Sequence, residues 1–188
     1  MTRFATRQDV GTIVRMREDA SHWLVDKLGV RQWERPWPDE ETQFLRIREA
    51  VDEGATWIFS RHGRIAATVT AYERDKGGFW EPSLKELGLE DMSALYIHRL
   101  IVARDFHGLG VGREVLRWAA RRARRLRLRA LRIDVWGDNP GLRAYYEARR
   151  FTTLGRIPER VQRDQHIYPY PSDVLMQFQL PHRRLNKP

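Results

Sequence analysis

The stretch Ala94-Leu-Tyr-Ile-His-Arg-Leu-Ile-Val102 runs toward His107-Gly-Leu-Gly-Val-Gly112, and a long helical pattern follows. The order is strand, glycine loop, helix. Glycines let a backbone approach a ligand closely. The first N–H groups of a helix point outward without an intrahelical partner, and the helix dipole adds positive potential there. The centre of the chain therefore reads as an anion cradle of the kind that holds a diphosphate.

Two common phosphate loops do not fit. A Walker loop needs Gly-Lys-Ser/Thr at its end, and here Gly112 is followed by Arg113-Glu114. A dinucleotide fingerprint needs Gly-x-Gly-x-x-Gly with an acidic residue about 20 positions on. The glycines here alternate at Gly108, Gly110 and Gly112, and the nearest acidic partner is Asp134.

A second pattern follows on the same scaffold. Leu131-Arg-Ile-Asp-Val-Trp136 reads as a strand by its alternation and its Ile, Val and Trp content. Asn139 then suits a helix N-cap with Pro140 at the first helical position, and the helix is expected over Leu142–Arg149.

His107-x-x-Gly110-x-Gly112, placed after the Leu100-Ile-Val102 strand, resembles the Arg/Gln-x-x-Gly-x-Gly/Ala acyl-CoA loop of the GNAT superfamily of N-acyltransferases. Val135-x3-Asn139-x6-Tyr146-x4-Phe151 resembles that superfamily's second motif. The resemblance covers roughly residues 3 to 180 and is strongest between 94 and 151. It implies a mixed α/β fold: a mostly antiparallel sheet of about seven strands, two central parallel strands that splay apart, and about four flanking helices.

The resemblance also implies roles. Backbone groups of Leu100, Ile101 and Val102 would pair with the pantetheine arm of acetyl-CoA, the acyl donor. Main-chain N–H groups across His107, Gly108, Leu109, Gly110, Val111, Gly112 and Arg113 would hold its pyrophosphate. Asn139 would lie near the pantetheine, and Tyr146 near the thioester sulfur. Two positions depart from the pattern: His107 stands where Arg or Gln is usual, and Arg150 where Gly usually precedes the Phe.

Composition sets outer limits. The 188 residues, 41% hydrophobic and 11% aromatic, suit one globular domain, expected over 1–180 with a tail at 181–188. The absence of cysteine excludes disulfides, thiolate metal sites and a cysteine nucleophile. No apolar run reaches the roughly 18 residues of a membrane span. The N-terminus, with Asp9 and no apolar core, is not expected to direct secretion, so a cytoplasmic location and no membrane partner are expected.

The net charge is +9 with a pI near 10.4. The densest basic stretch is Arg121-Arg-Ala-Arg-Arg-Leu-Arg-Leu-Arg129. On a helix, Val115, Ala119, Ala123 and Leu126 fall on one face, which explains the arginines as a solvated face. No aromatic residues interleave with them, as a single-strand platform would require. A nucleic-acid partner is therefore disfavoured, and a homodimer is left open.

Elsewhere, Thr6-Arg-Gln-Asp9 reads as a capping box opening a helix that stops at Gly29. A second helix is expected from Asp39 to Gly54, and a hairpin from 56–60 and 65–72. Residues 30–38, 74–93 and 157–172 are expected to be variable loops, and 151–154 and 173–180 closing strands.

Acyl transfer to an amine requires a deprotonated amine, a stabilised oxyanion and a leaving thiolate that can be protonated. It requires no metal. Tyr146 is the candidate acid, since a phenol can supply a proton to a thiolate. His98 is a candidate base, since alternation puts it on one face with Leu100 and Val102; Asp134 on the neighbouring strand could orient His98 or act as the base through water. Trp33, Glu34 and Trp37 could receive a cationic amine by charge and cation–π contact. The leading expectation is acetyl-CoA-dependent N-acetylation of a small-molecule primary amine, a metabolite or antibiotic, by direct attack in a ternary complex. Acetylation of a protein N-terminus or an aminoacyl-tRNA is the alternative, followed by a non-catalytic module that binds acyl-CoA or nucleic acid.

Overall fold

A computed structural model describes residues 1–181. The elements run β1 (Thr2–Phe4), α1 (Val10–Leu28), α2 (Glu40–Asp52), β2 (Thr56–Arg61), β3 (Arg64–Tyr72), α3 (Trp80–Glu86), β4 (Ala94–Val102), α4 (Val111–Arg125), β5 (Ala130–Val135), α5 (Pro140–Glu147), β6 (Thr152–Arg156), α6 (Glu159–Asp164) and β7 (Val174–Gln179). The sheet is seven-stranded, in the order β1-β2-β3-β4-β5-β7-β6. The β4–β5 pair is parallel, with register Ala94↔Ala130, Leu95↔Leu131 and Tyr96↔Arg132. The β1–β2, β2–β3, β5–β7 and β6–β7 pairs are antiparallel. The expected mixed fold is thus present. Among the described residues no helix is long and apolar enough to cross a membrane.

Two compact units divide the chain, one comprising Met1–Ala71 with Ile97–Arg117 and the other Tyr72–Tyr96 with the residues from Trp118 onward. In the first, Ala5, Val10, Ile13, Ile47, Val51 and Ile58 form a buried cluster, which joins α1 and α2 to β2. Asp9 fixes the start of α1. Its carboxylate accepts the Thr6 backbone N–H at 2.7 Å and the Thr6 hydroxyl at 3.0 Å. Arg3 adds two donors at 2.8 Å each. The turn at 7–9 is a 3₁₀ turn that continues into α1. The helix stops as expected at Gly29, whose φ of 63° is the left-handed conformation glycine adopts freely.

In the second unit Phe79, Trp80, Leu84, Tyr96, Ile157, Val161 and Leu175 make the buried cluster. Two of its helices, α3 and α6, fall in the segments expected to be loops, which makes six α-helices among the described residues rather than about four. Side-chain bonds hold both. Asp75 accepts from Gly77 N–H at 3.1 Å and Trp80 N–H at 2.7 Å and so anchors the approach to α3. Pro82 lies in the first turn, where a missing N–H costs nothing. On α6, Gln162 donates to the Ile157 carbonyl at 3.0 Å and accepts the Tyr170 N–H at 2.9 Å. Of the expected tail, 182–188 lie outside the described residues.

Arg150, where the resemblance leads one to expect glycine, has φ 66° and follows α5, its N–H donating to the Glu147 carbonyl at 2.8 Å. A side chain is strained in this conformation. Arg150→Gly should raise unfolding stability by about 0.5–1 kcal/mol in urea titrations; an unchanged midpoint would show the strain is absent.

The Arg3 guanidinium and the Thr6 donors hold the Asp9 carboxyl well below its ordinary range, against the opposing effect of burial. A depressed folded value means the contribution is complete above the unfolded-chain pKa near 4. It is lost progressively as pH falls from there toward the folded value. Asp9→Asn should therefore destabilise the protein by about 1–2 kcal/mol at pH 7, and the gap to the unsubstituted protein should narrow at acid pH. A gap independent of pH would contradict the ionised role.

Candidate active site

Four bonds build the approach to the glycine loop in the first unit. Ala103 N–H donates to the Ala66 carbonyl of β3 at 2.9 Å, tying the end of β4 down. Phe106, His107 and Leu109 N–H then bond to the carbonyls of Ala103, Arg104 and Phe106 at 2.9, 3.0 and 3.3 Å. Gly108 and Gly110 have φ of 77° and 76°, a conformation that puts successive turns in the loop at no steric cost. A Cβ on Gly108 would meet nothing within 4 Å, so the loop is open.

The first helical bond of α4 runs from Glu114 N–H to the Gly110 carbonyl at 3.2 Å. Val111, Gly112 and Arg113 precede it, and their N–H groups have no partner within the helix. Glu114, the acidic residue of the first turn, is ion-paired with Arg61, which relieves its repulsion of an incoming anion. His107 is exposed, with its ring 5.3 Å from that of Trp23 on α1.

Just upstream, Arg99 lies within β4 with φ 48°. The alternation that would set His98 on one face with Leu100 and Val102 is broken there, so that argument for His98 does not carry through. His98, Leu100 and Val102 are half-buried and Ile101 is buried.

Trp33, Glu34 and Trp37 also lie in the first unit, and neighbours already engage them. Arg31 Nε donates to Glu34 Oε2 at 2.5 Å. The Arg46 guanidinium lies 4.9 Å over the Trp37 ring. The Trp33 carbonyl accepts from Arg17 Nη1 at 3.2 Å, and Trp33 itself has φ 65°. These contacts fix the loop as a packed turn.

The second unit holds the other candidates. Asn139 caps α5 as the sequence suggests, its Oδ1 accepting the Leu142 N–H at 2.9 Å, with Pro140 at the first position. Of the adjacent tyrosines, Tyr146 is the buried one. Its ring meets Tyr145 edge-on at 5.2 Å and Phe151 at 5.3 Å. Burial pushes the Tyr146 phenol well above its ordinary value, and Tyr145 and Asp134 push the same way, with Arg149 opposing.

Asp134 lies half-buried on β5, and its Oδ2 accepts the Tyr170 hydroxyl at 2.7 Å. Tyr170, not foreseen from the sequence, is itself held by Gln162 and packs 5.5 Å from the Phe79 ring. Asp134, Tyr146, Tyr145 and Tyr170 thus belong to one unit and interact there. Among the described residues no group of three or more His, Cys, Asp or Glu could hold a metal ion.

The sequence profile of the Acetyltransferase (GNAT) family matches residues 18–151. The chain is 26% identical over 152 residues to an uncharacterized N-acetyltransferase, YesJ, of Bacillus subtilis, a match spanning 80% of this chain and 81% of that protein. Its fold is similar to a GNAT-family acetyltransferase from Listeria monocytogenes, with TM-score 0.68 and 19% identity, covering 96% of this chain and 94% of the other. It is likewise similar to the PaiA N-acetyltransferase of Thermoplasma acidophilum, crystallised with coenzyme A, with TM-score 0.66, 10% identity and coverage of 95% and 98%. A profile match over most of the chain, around a glycine loop with an open helix start, establishes that this protein is an acetyltransferase of the GNAT family.

Proposed function

We propose that the protein transfers an acetyl group from acetyl-CoA to the primary amine of a small molecule by direct attack. The observation that carries this reading is the loop of the first unit: left-handed Gly108 and Gly110, open space at Gly108, and the unspent N–H groups of Val111, Gly112 and Arg113. Such a set of donors suits a pyrophosphate. His107 to Arg113 would hold that group, backbone groups of Leu100 to Val102 would pair with the pantetheine, and Asn139 would border it. Coenzyme A supplies the thioester.

The reaction forms one C–N bond and breaks one C–S bond. The attacking ammonium first loses a proton to a base, for which His98 and Asp134 are the candidates. The collapsing intermediate releases a thiolate, to which the Tyr146 phenol stands to donate a proton, while the nitrogen loses its second proton, which restores the phenol through solvent. The phenol, raised by burial, is protonated at neutral pH and so cannot serve as the base; it is available as a donor, a weaker acid than an exposed phenol.

The test pairs acetyl-CoA with a panel of amines and reads thiol release. Acetyl-CoA at about 100 times its Kd should stabilise the fold by about 2.7 kcal/mol, and ATP should not. Tyr146→Phe should lower turnover ~100-fold or more while acetyl-CoA binding is retained. An unchanged rate would remove Tyr146 from the chemistry. In the same assay, His98→Ala should abolish the acidic limb of the pH profile if His98 is the base; an intact limb points to Asp134.

One observation favours a second acceptor class. Arg124, Arg125, Arg127 and Arg129 line a recess of about 470 Å³ with Leu128, Leu180 and Pro181. These four arginines have no ion pair among the described residues. An aminoacyl-tRNA would bring phosphates to such a surface. Binding of tRNA that weakens steeply between 50 and 200 mM salt would support that acceptor; no binding at low salt would exclude it.

A further inference from the structure

We infer that Arg104, laid on Trp23, is a phosphate-binding residue for acyl-CoA; the inference rests on the cofactor reading above. The Arg104 guanidinium carbon lies 4.1 Å from the centroid of the Trp23 ring. This stacking uses the flat face of the guanidinium and leaves its in-plane N–H donors unspent. No carboxylate pairs with Arg104 among the described residues. The adjacent acid, Asp105, is engaged by Arg64.

The backbone fixes where this cation stands. Arg104 opens the 3₁₀ turn Arg104–Phe106; the preceding Ala103 is bonded to the Ala66 carbonyl, and the Arg104 carbonyl accepts from His107 N–H, which locks the turn between β4 and the glycine loop. The same indole that carries Arg104 also contacts His107 at 5.3 Å. Trp23 therefore gathers a permanent cation and the first residue of the loop onto one support in the first unit.

The arrangement answers the departure at position 107. A diphosphate carries more negative charge than a set of neutral N–H dipoles offsets, and a histidine does not carry the permanent charge of an arginine. Arginine in place of His107 would supply a permanent charge and a planar fork matched to phosphate oxygens. Arg104 supplies both from three residues upstream. A guanidinium preset by stacking also loses less freedom on binding than a free one.

Two phosphates of the donor share this chemistry, the pyrophosphate and the 3′-phosphate, and one experiment separates them. Coenzyme A and 3′-dephospho-coenzyme A are titrated calorimetrically into the unsubstituted protein, Arg104→Gln and Arg104→Lys. Arg104→Gln should bind coenzyme A about tenfold more weakly, and Arg104→Lys, which keeps the charge and loses the fork, should recover part of that. A loss that vanishes with the dephospho ligand assigns the 3′-phosphate; a loss that persists assigns the pyrophosphate. Melting temperatures without ligand check that both variants fold. Equal affinity of Arg104→Gln and the unsubstituted protein for both ligands would overturn the role of Arg104 alone. Failure of the unsubstituted protein to bind either ligand would overturn the cofactor reading and this inference with it.

Discussion

Arg132 has no exposed surface, and a charge removed from water must be met inside the protein. It meets Gln177 of β7 at 2.9 Å, Asp91 at 2.6 Å and the Tyr96 hydroxyl of β4 at 3.1 Å. The same guanidinium lies 5.3 Å over the Trp80 ring of α3 and 5.8 Å over Tyr96. One side chain thus joins three strands, one helix and the segment before β4. Removing a single partner of a buried charge costs about 3–5 kcal/mol, so these elements cannot shift independently. Arg132 pairs with Tyr96 in the parallel register. Asp134 follows on the same strand face, so the network that closes the core also sets where that carboxylate stands for Tyr170.

The first unit follows the opposite logic. There the donors that matter are left unspent. Val111, Gly112 and Arg113 hold N–H groups that the helix cannot use, and Arg104 spends only its ring-facing surface on Trp23. Rigidity comes from the backbone instead: Ala103 is bonded to β3, and two positive-φ glycines set the loop's course. If the loop takes a pyrophosphate, as proposed, it is set for that anion in advance.

Features of the sequence that act locally were the legible ones. The strand–glycine–helix order, the Gly29 stop and the Asn139 cap with Pro140 each depend on a few adjacent residues, and each is present. What depended on distant partners was not legible. Arg132 reads as the outward residue of an alternating strand until Asp91, 41 positions away, closes on it. Tyr170 and Asp134 are 36 positions apart and share no periodicity. The helices α3 and α6 sit among Gly77, Gly78, Pro82 and Pro158, which read as punctuation; their anchors, Asp75 and Gln162, lie outside any apolar pattern. Glu34 and Trp37 stand out in the sequence by charge and aromatic area, while the arginines that engage them, Arg31 and Arg46, share no pattern with them.

The surroundings of Tyr146 bear on how proton transfer at the sulfur can work. A phenol is a weaker acid than a thiol even at their ordinary values, near 10 and 8.5, so full transfer to a free thiolate runs uphill. Burial beside Tyr145 and Asp134 raises the phenol further, which by itself steepens the slope. A thiolate generated against the same buried ring would lose the same solvation, and its own pKa would rise with it. Matching therefore depends on both partners sharing one dry environment, not on an acidic tyrosine. Arg149, stacked 3.4 Å over the Tyr145 ring, is the opposing charge in that environment. In the proposed reaction its pull opposes the rise at Tyr146 and so favours delivery of the proton.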